Sequence, residues 1–295
     1  MKQNKGPLIF LTIFTIFLFK ENAKIHDTII ISCELFLTKV FPALFPMMIL
    51  SNLFIYFGLP ELLCKFFGKS FQKFFHTSPY GAFAFFISSF SGSPANAYTI
   101  KNLEQQGYLT TEEASYVLSF SFFNNPLFLY TMLSLIFPNE QAIVIKLILI
   151  PYVVNLTLGF LTRKKNIQTE KKILPQKGKN FGSFLSSSIK DTMNTLLFVV
   201  GTISVFMLLN TLINPQKIPI ISGILEISQG LNSLINSFLS NKIKEILAIL
   251  FISFGGLSIH LQIKGIISET QISYQQFLKM RIFQALISIF IIFLI

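Results

Sequence analysis

From Val40 to Phe57, and again from Thr192 to Ile213, the chain carries no charged side chain. Each run is long enough to cross the hydrocarbon layer of a bilayer as a helix. Backbone in lipid must satisfy its own hydrogen bonds, so such runs fold as helices. The composition agrees. Apolar residues make up 52% of the 295, Phe alone supplies 35, and charged residues reach 13%, roughly half the share of a soluble domain. A soluble chain of this length needs more polar surface than that. The reading is an all-α, polytopic integral membrane protein in contact with the lipid bilayer.

The net charge of +11 does not point to nucleic acid, because basic residues are not interleaved with aromatics on a polar domain. Membrane proteins instead concentrate Lys and Arg in cytoplasmic loops. Seven basic residues against one acid, Glu170, fall in 163–179. That loop and the N-terminus, with Lys2 and Lys5, are therefore placed in the cytoplasm of a multi-pass cell-membrane protein. Cys33 and Cys64 form no framework and have no metal-ligand spacing, and no metal or cofactor is expected. No zinc-binding His-Glu-x-x-His, phosphate loop or Ser/His/Asp set is present, so the chain is not read as an enzyme.

The apolar segments follow an order. Pro7 to Phe19 reads as an uncleaved first span. An amphipathic stretch, Asp27 to Lys39, precedes the run from Val40. Glu61 to Phe75 is interrupted by Lys65, Lys69 and Lys73 and reads as an interfacial helix. Pro79 to Leu103 is broken at Ser91-Gly92-Ser93-Pro94, and Glu112 to Phe137 at Asn124-Asn125-Pro126. Ala142 to Leu161 spans. After the basic loop come the span Thr192 to Ile213 and an amphipathic stretch, Ile218 to Phe238, with Glu226, Gln229 and Asn232. Ile243 to Ile263, broken at Gly255-Gly256, and a last run, Tyr274 to Ile295, complete the order. Five crossings before the basic loop would place it outside. If 79–103 enters and returns on one side, through arms of about 16 Å each, the count becomes four. A re-entrant hairpin follows, of the kind tolerated where backbone is buried or lines a wet cavity.

The halves then repeat each other. Each has a span, an amphipathic helix, a helix broken at Gly92 or Gly256, and a helix opened by a capping box at Thr110 or Ser273. With the basic loop fixed inside, the two spans run oppositely. The expected division is a span at 1–24, a first repeat at 25–137, a connecting span and loop at 138–182, and an inverted second repeat at 183–295. Paired broken helices in inverted repeats are the pattern of secondary transporters, in which half-helix ends meet near the midplane.

These same residues resemble a known family. The run Phe90-Ser91-Gly92-Ser93-Pro94-Ala95-Asn96-Ala97, the turn Leu109 to Ala114 and the break Asn124-Asn125-Pro126-Leu127-Phe128 are similar to the sporulation integral membrane protein YlbJ family. So are Val40 to Pro46, Leu225 to Leu231 and Phe254 to Gln262, which extends the likeness over roughly 35–295. The resemblance implies a nucleoside-recognition gate fold, with hairpins similar to those of concentrative nucleoside transporters. It also implies a role in endospore formation, moving dipicolinate across a membrane.

Candidate contacts to a small-molecule solute, with or without a coupling ion, lie at the breaks. Gly92, Ser93 and Pro94 form the first tip, where a returning half-helix offers its positive end to a carboxylate. Gly255, Gly256 and Ser258 form the second. Asn96, Asn124 and Asn125 are amides at membrane depth that contact either solute or neighbouring helices. His260 serves as ligand, proton relay or structural residue. Glu226 faces the cavity or a solvated interface. Arg281 needs an anionic partner, either the solute or Glu226, or anchors at the interface, as Lys279 does by snorkelling. The reading is a gate-hairpin transporter moving a small anionic solute by alternating access. The alternatives are a nucleoside-transporter-like permease and a non-transporting scaffold in spore envelope assembly.

Overall fold

The computed structural model describes residues 5–63, 69–163, 180–214, 216 and 218–295; Cys64 and nearly all of the basic loop lie outside them. Among the described residues every regular element is helical. Among these residues five stretches are long and apolar enough to cross a membrane: Asn22–Tyr56, Gln141–Leu161, Phe181–Ile213, Asn241–Ile266 and Tyr274–Leu294. The all-helical, multi-pass architecture read from the sequence is the one observed. α1 (Lys5–Lys20) is shorter, at 16 residues, and packs on α2.

α2 (Asn22–Leu35) and α3 (Phe41–Tyr56) are one continuous 35-residue helix joined through a π turn at Phe36–Val40. The expected change at Lys39 from amphipathic stretch to span is therefore absent, because no residue there stops the helix. α4 (Leu59–Leu63) and α5 (Lys69–Phe75) follow. α6 (Pro79–Ser91) is capped by Ser78 and stopped by Gly92 at φ +76°; α7 (Ala95–Gln105) restarts the chain. α8 (Thr111–Phe120) and α9 (Pro126–Ile136) flank an unwound 121–125. α10 (Gln141–Leu161) and α11 (Phe181–Ile213) are long spans. α12 (Pro219–Leu225) and α13 (Ile227–Ile235) pack on each other, with Glu226 between them. α14 (Asn241–Phe254) ends at Gly255, φ +93°, and α15 (Gly256–Ile266) continues. α16 (Tyr274–Leu294) is last.

Side-chain contacts fix which helix ends lie together. At one end the Tyr56 and Phe184 rings stack at 4.3 Å and those of Tyr80 and Tyr108 lie 4.6 Å apart. There too Lys101 pairs with Glu269 at 2.8 Å, and the Ser273 amide donates to Ser115 Oγ. At the other end Thr28 meets Thr211, Asn241 donates to Glu140, and Lys242 donates to the Ile292 carbonyl. Tyr80 opens α6 and Tyr108 follows α7, so the segment Pro79–Gln105 enters and leaves on one side. This is the hairpin expected from the charge count.

The second half departs from expectation. Ile218–Phe238 is not one amphipathic helix but a second hairpin, entering from the opposite end. Glu226 starts a new helix there: its carboxylate accepts from the Gln229 amide at 2.9 Å. Gly223 and Gly230 let the arms touch; a Cβ on Gly230 would lie 2.2 Å from Gly223 Cα. Asn241–Ile266, in contrast, runs from the Glu140 end to the Lys101 end and turns nowhere. The expected pairing of Gly92 with Gly256, and of Thr110 with Ser273, is therefore corrected. α8 and α16 run side by side in the same direction, joined at Ser115–Ser273 and at the Ser119 carbonyl with Arg281, so inversion does not relate them.

Small residues and polar pairs hold the bundle, as lipid-embedded helices require. Asn52 donates to Tyr98 and Ser188 and accepts from Asn102, tying α3, α7 and α11. Gly159 lets the Phe120 ring approach, in a cluster where Phe75, Phe85 and Phe120 stack. Leu149, Leu197, Leu286 and Phe290 remain on the outside, as a lipid-facing belt would.

Candidate functional site

The end of α8 and the unwound segment 121–125 expose carbonyls that no helix satisfies, and three elements meet them. Asn96 donates to Ser121 O at 3.1 Å and the Ser93 amide to Phe123 O at 2.7 Å, both from the first hairpin tip. Asn155 of α10 donates to Phe122 O, and Arg281 of α16 to Ser119 O at 2.7 Å. Asn125 turns the other way and caps α9 through the Leu127 and Phe128 amides. Asn124 reaches across to Ile252 O at 2.8 Å, joining the first break to the helix that ends at the second. The expected capping boxes are half present. Thr110 and Ser273 accept from the Glu113 and Gln276 amides, but the Glu113 carboxylate turns away to accept from the Ser78 amide.

A cavity of about 70 Å³ lies where these pieces converge. The first hairpin tip supplies Ser93 and Pro94, and the first break supplies Asn124 and Asn125. The second hairpin tip supplies Glu226 and Ser228, and the helix after the second break supplies Ile259 and Gln262. The two long spans close the sides, α11 with Val199 and Ile203 and the α2–α3 helix with Lys39 and Leu44. Glu226 is 3% exposed and also accepts from Ser228 Oγ at 3.2 Å. It therefore lies on a buried tip and not on a solvated interface.

Five of the twelve candidates, Ser93, Pro94, Asn124, Asn125 and Glu226, thus share one cavity. Gly92 and Asn96 stand behind the first tip. Gly92 is needed there: a Cβ would lie 2.5 Å from the Asn125 amide nitrogen. Gly255 and Gly256 form the second break, Gly255 against the Phe122 ring and Gly256 beside the Glu226 backbone. Ser258 accepts from Gln262 outside the cavity lining. His260 has both ring nitrogens occupied, by the Tyr274 hydroxyl and Phe254 O at 3.0 Å each.

Arg281 is fully buried yet meets no carboxylate among the described residues. Its guanidinium bonds Ser119 O, Asn155 Oδ1 and Gln284 and lies over the Phe122 ring at 4.6 Å. Lys279 is exposed. Sequence reasoning missed Lys39, Ser228 and Gln262 in the cavity and Asn155 behind it. The signals available were a Lys midway along an apolar stretch and an amide inside an otherwise apolar span.

Two further spaces adjoin the site. At the Thr28–Thr211 end a polar vestibule of about 520 Å³ is lined by Asn210, Asn214, Ser222, Gln229 and Asn232 and runs down the second hairpin toward Glu226. Between α3 and α9 an apolar groove of about 580 Å³ reaches Lys39 and Asn125 from the side. Among the described residues no three His, Cys, Asp or Glu side chains are grouped to hold a metal.

No family model and no solved structure matches the chain. Among curated proteins it is similar to the sporulation integral membrane protein YlbJ of Bacillus subtilis (strain 168). The two are 26% identical over 289 residues, which covers 83% of this chain and 71% of that protein. The likeness supports membership of the family that the motifs suggested.

Proposed function

We infer that this chain, a sporulation-associated integral membrane protein by its likeness to YlbJ, is a transporter that moves a small anionic solute by alternating access. The observation that carries the reading is the cavity bounded by both hairpin tips, the first helix break, the helix after the second break, and the spans α2–α3 and α11. We read these parts as two inverted repeats with a revised pairing. The α2–α3 helix corresponds to α11, and hairpin α6–α7 to hairpin α12–α13. Broken span α8–α9 corresponds to α14–α15, and α10 to α16. Each pair keeps its order in the chain and reverses its direction between the two ends. Repeats related in this way let one half rock against the other around a fixed midplane site.

The chain joining α10 to α11 carries the basic cluster, so the Tyr56–Phe184 end is assigned to the cytoplasm. The vestibule then opens on the far side, with Glu226 on the hairpin tip between vestibule and cavity. Dipicolinate, a compact dicarboxylate, is the solute we assign. Uptake of labelled dipicolinate into proteoliposomes tests this. Saturable uptake above protein-free vesicles supports it; uptake of nucleosides alone would replace the solute, and no flux of either would favour the scaffold.

A further inference from the structure

Lys39 is the basic side chain in the cavity lining. It lies midway along the 35-residue α2–α3 helix, 17 residues from either end and about 25 Å from each. It makes no ion pair or hydrogen bond with a described residue, although it lines the same cavity as Ser93, Asn124 and Glu226. A cation at that depth normally faces a partner or a polar cavity, and marks a solute or ion pathway. Among the described residues, Lys39 and Glu226 are the two titratable side chains in the cavity wall. The other charged groups on helices packed against the second hairpin are engaged or remote. Glu245 pairs with Lys146 at 2.6 Å and Lys244 lies beside it near the far end. Lys264 lies over the Tyr274 ring and His260 is doubly bonded. Lys190 and Asp191 sit in the cytoplasmic half of α11, and α9 carries only Tyr130.

We propose that Lys39 is the residue that recognises a carboxylate of the solute, and that Glu226 takes up a proton as the solute binds, so that anion and proton cross together. The proposal deepens the transport reading and rests on it. The charge arithmetic leads there. The cavity wall carries one positive and one negative side chain, which sum to zero. A dicarboxylate entering it brings two negative charges, of which Lys39 already answers one while Glu226 adds repulsion. A proton from water on the entry side, bound to a Glu226 carboxylate oxygen, removes that repulsion. It leaves to water on the exit side with the solute, and no covalent bond to the solute forms or breaks. Glu226 also caps α13, so protonation loosens its bonds to Ser228 and the Gln229 amide at the very tip that must move.

The test uses proteoliposomes loaded with a lumenal pH dye, with dipicolinate as the probe. Wild-type uptake is expected to acidify the lumen in step with solute entry. Lys39→Gln should lower uptake at sub-saturating solute about tenfold to a hundredfold, the loss expected for one charged hydrogen bond, and Lys39→Arg should restore most of it. Whatever flux Glu226→Gln retains should carry no proton and ignore an imposed pH gradient. Wild-type uptake without lumenal acidification overturns the coupling, independently of how any variant folds. Lys39→Gln uptake at the wild-type rate overturns the recognition. A wild type that moves no dipicolinate at all would instead refute the transport reading, and this proposal with it.

Discussion

Gly230→Ala should force the second hairpin open. A methyl on Gly230 would lie 2.2 Å from Gly223 Cα, 2.8 Å from Gly223 N and 3.0 Å from Phe251 Cδ2. Carbon atoms rest at about 3.5 Å or more, so α12 and α13 must part by about 1.3 Å, four residues from Glu226. Two of those neighbours are backbone and cannot turn aside. Nor can α12 retreat, since a Cβ on Gly223 would already lie 2.3 Å from the Phe251 ring. Overpacking of this kind costs about 1–3 kcal/mol, and a chain of this size loses about 2–4 °C of Tm per kcal/mol. Gly201→Ala is the control. It lies within α11 with no atom within 4 Å of a new Cβ, and Ala there gains helix propensity of up to about 1 kcal/mol. Thermal melts in detergent, followed by far-ultraviolet circular dichroism, compare the two with wild type. A Gly230→Ala protein that melts at or above wild type would refute the hairpin contact.

Other perturbations separate structural from solute-binding roles. Arg281→Met strands the Ser119 carbonyl and Asn155 Oδ1, at about 1–3 kcal/mol each, and should lower the Tm. Arg281→Lys should not rescue it, because one ammonium cannot reach three acceptors; full stability of either variant would argue against the bracing role. Gly92→Ala must hold a left-handed φ with its methyl against the Asn125 amide, and is expected to yield little monodisperse protein on size exclusion; normal yield would mean that the tip sits differently. With both native cysteines replaced by Ala, single cysteines at Lys101 and Glu269 should react with an impermeant maleimide from one side of sealed vesicles, and those at Glu140 and Asn241 from the other. Labelling of all four from one side would undo the assignment of ends.

The sequence made the breaks legible because each has a local chemical cause. Gly92 and Gly255 adopt φ values that other residues resist, Pro126 cannot donate, and Thr110, Asn125 and Ser273 carry the cap oxygens. The second hairpin was illegible for the converse reason. Nothing around Glu226 forbids a continuous helix, and its turn is held by the contact between Gly223 and Gly230, which only tertiary structure reveals. Matching Gly92 with Gly256 also sets α8 against α16, and those two helices run in the same direction. Arg281 looked like a solute ligand because a buried charge invites a counter-ion. In the structure the Ser119 carbonyl at the end of α8 and the Asn155 amide oxygen accept from its guanidinium.

The π turn at Phe36–Val40 has a consequence for the whole of its helix. Successive residues of an α-helix advance by about 100°, so Leu44, Met48, Ser51 and Ile55 would point about 100° or more away from Thr28 and Ser32 if the helix were regular. All six are nonetheless buried. The Phe41 amide donates to Phe36 O, five residues back, so the turn absorbs one surplus residue and takes about 100° off the offset, bringing both inner faces to one side along some 40 Å of helix. A one-residue deletion within Phe36–Val40 is thus a small change, closing the irregular turn into regular α-helix and leaving both inner faces in phase. A one-residue insertion there would instead turn one end's polar seam by about 100° toward lipid.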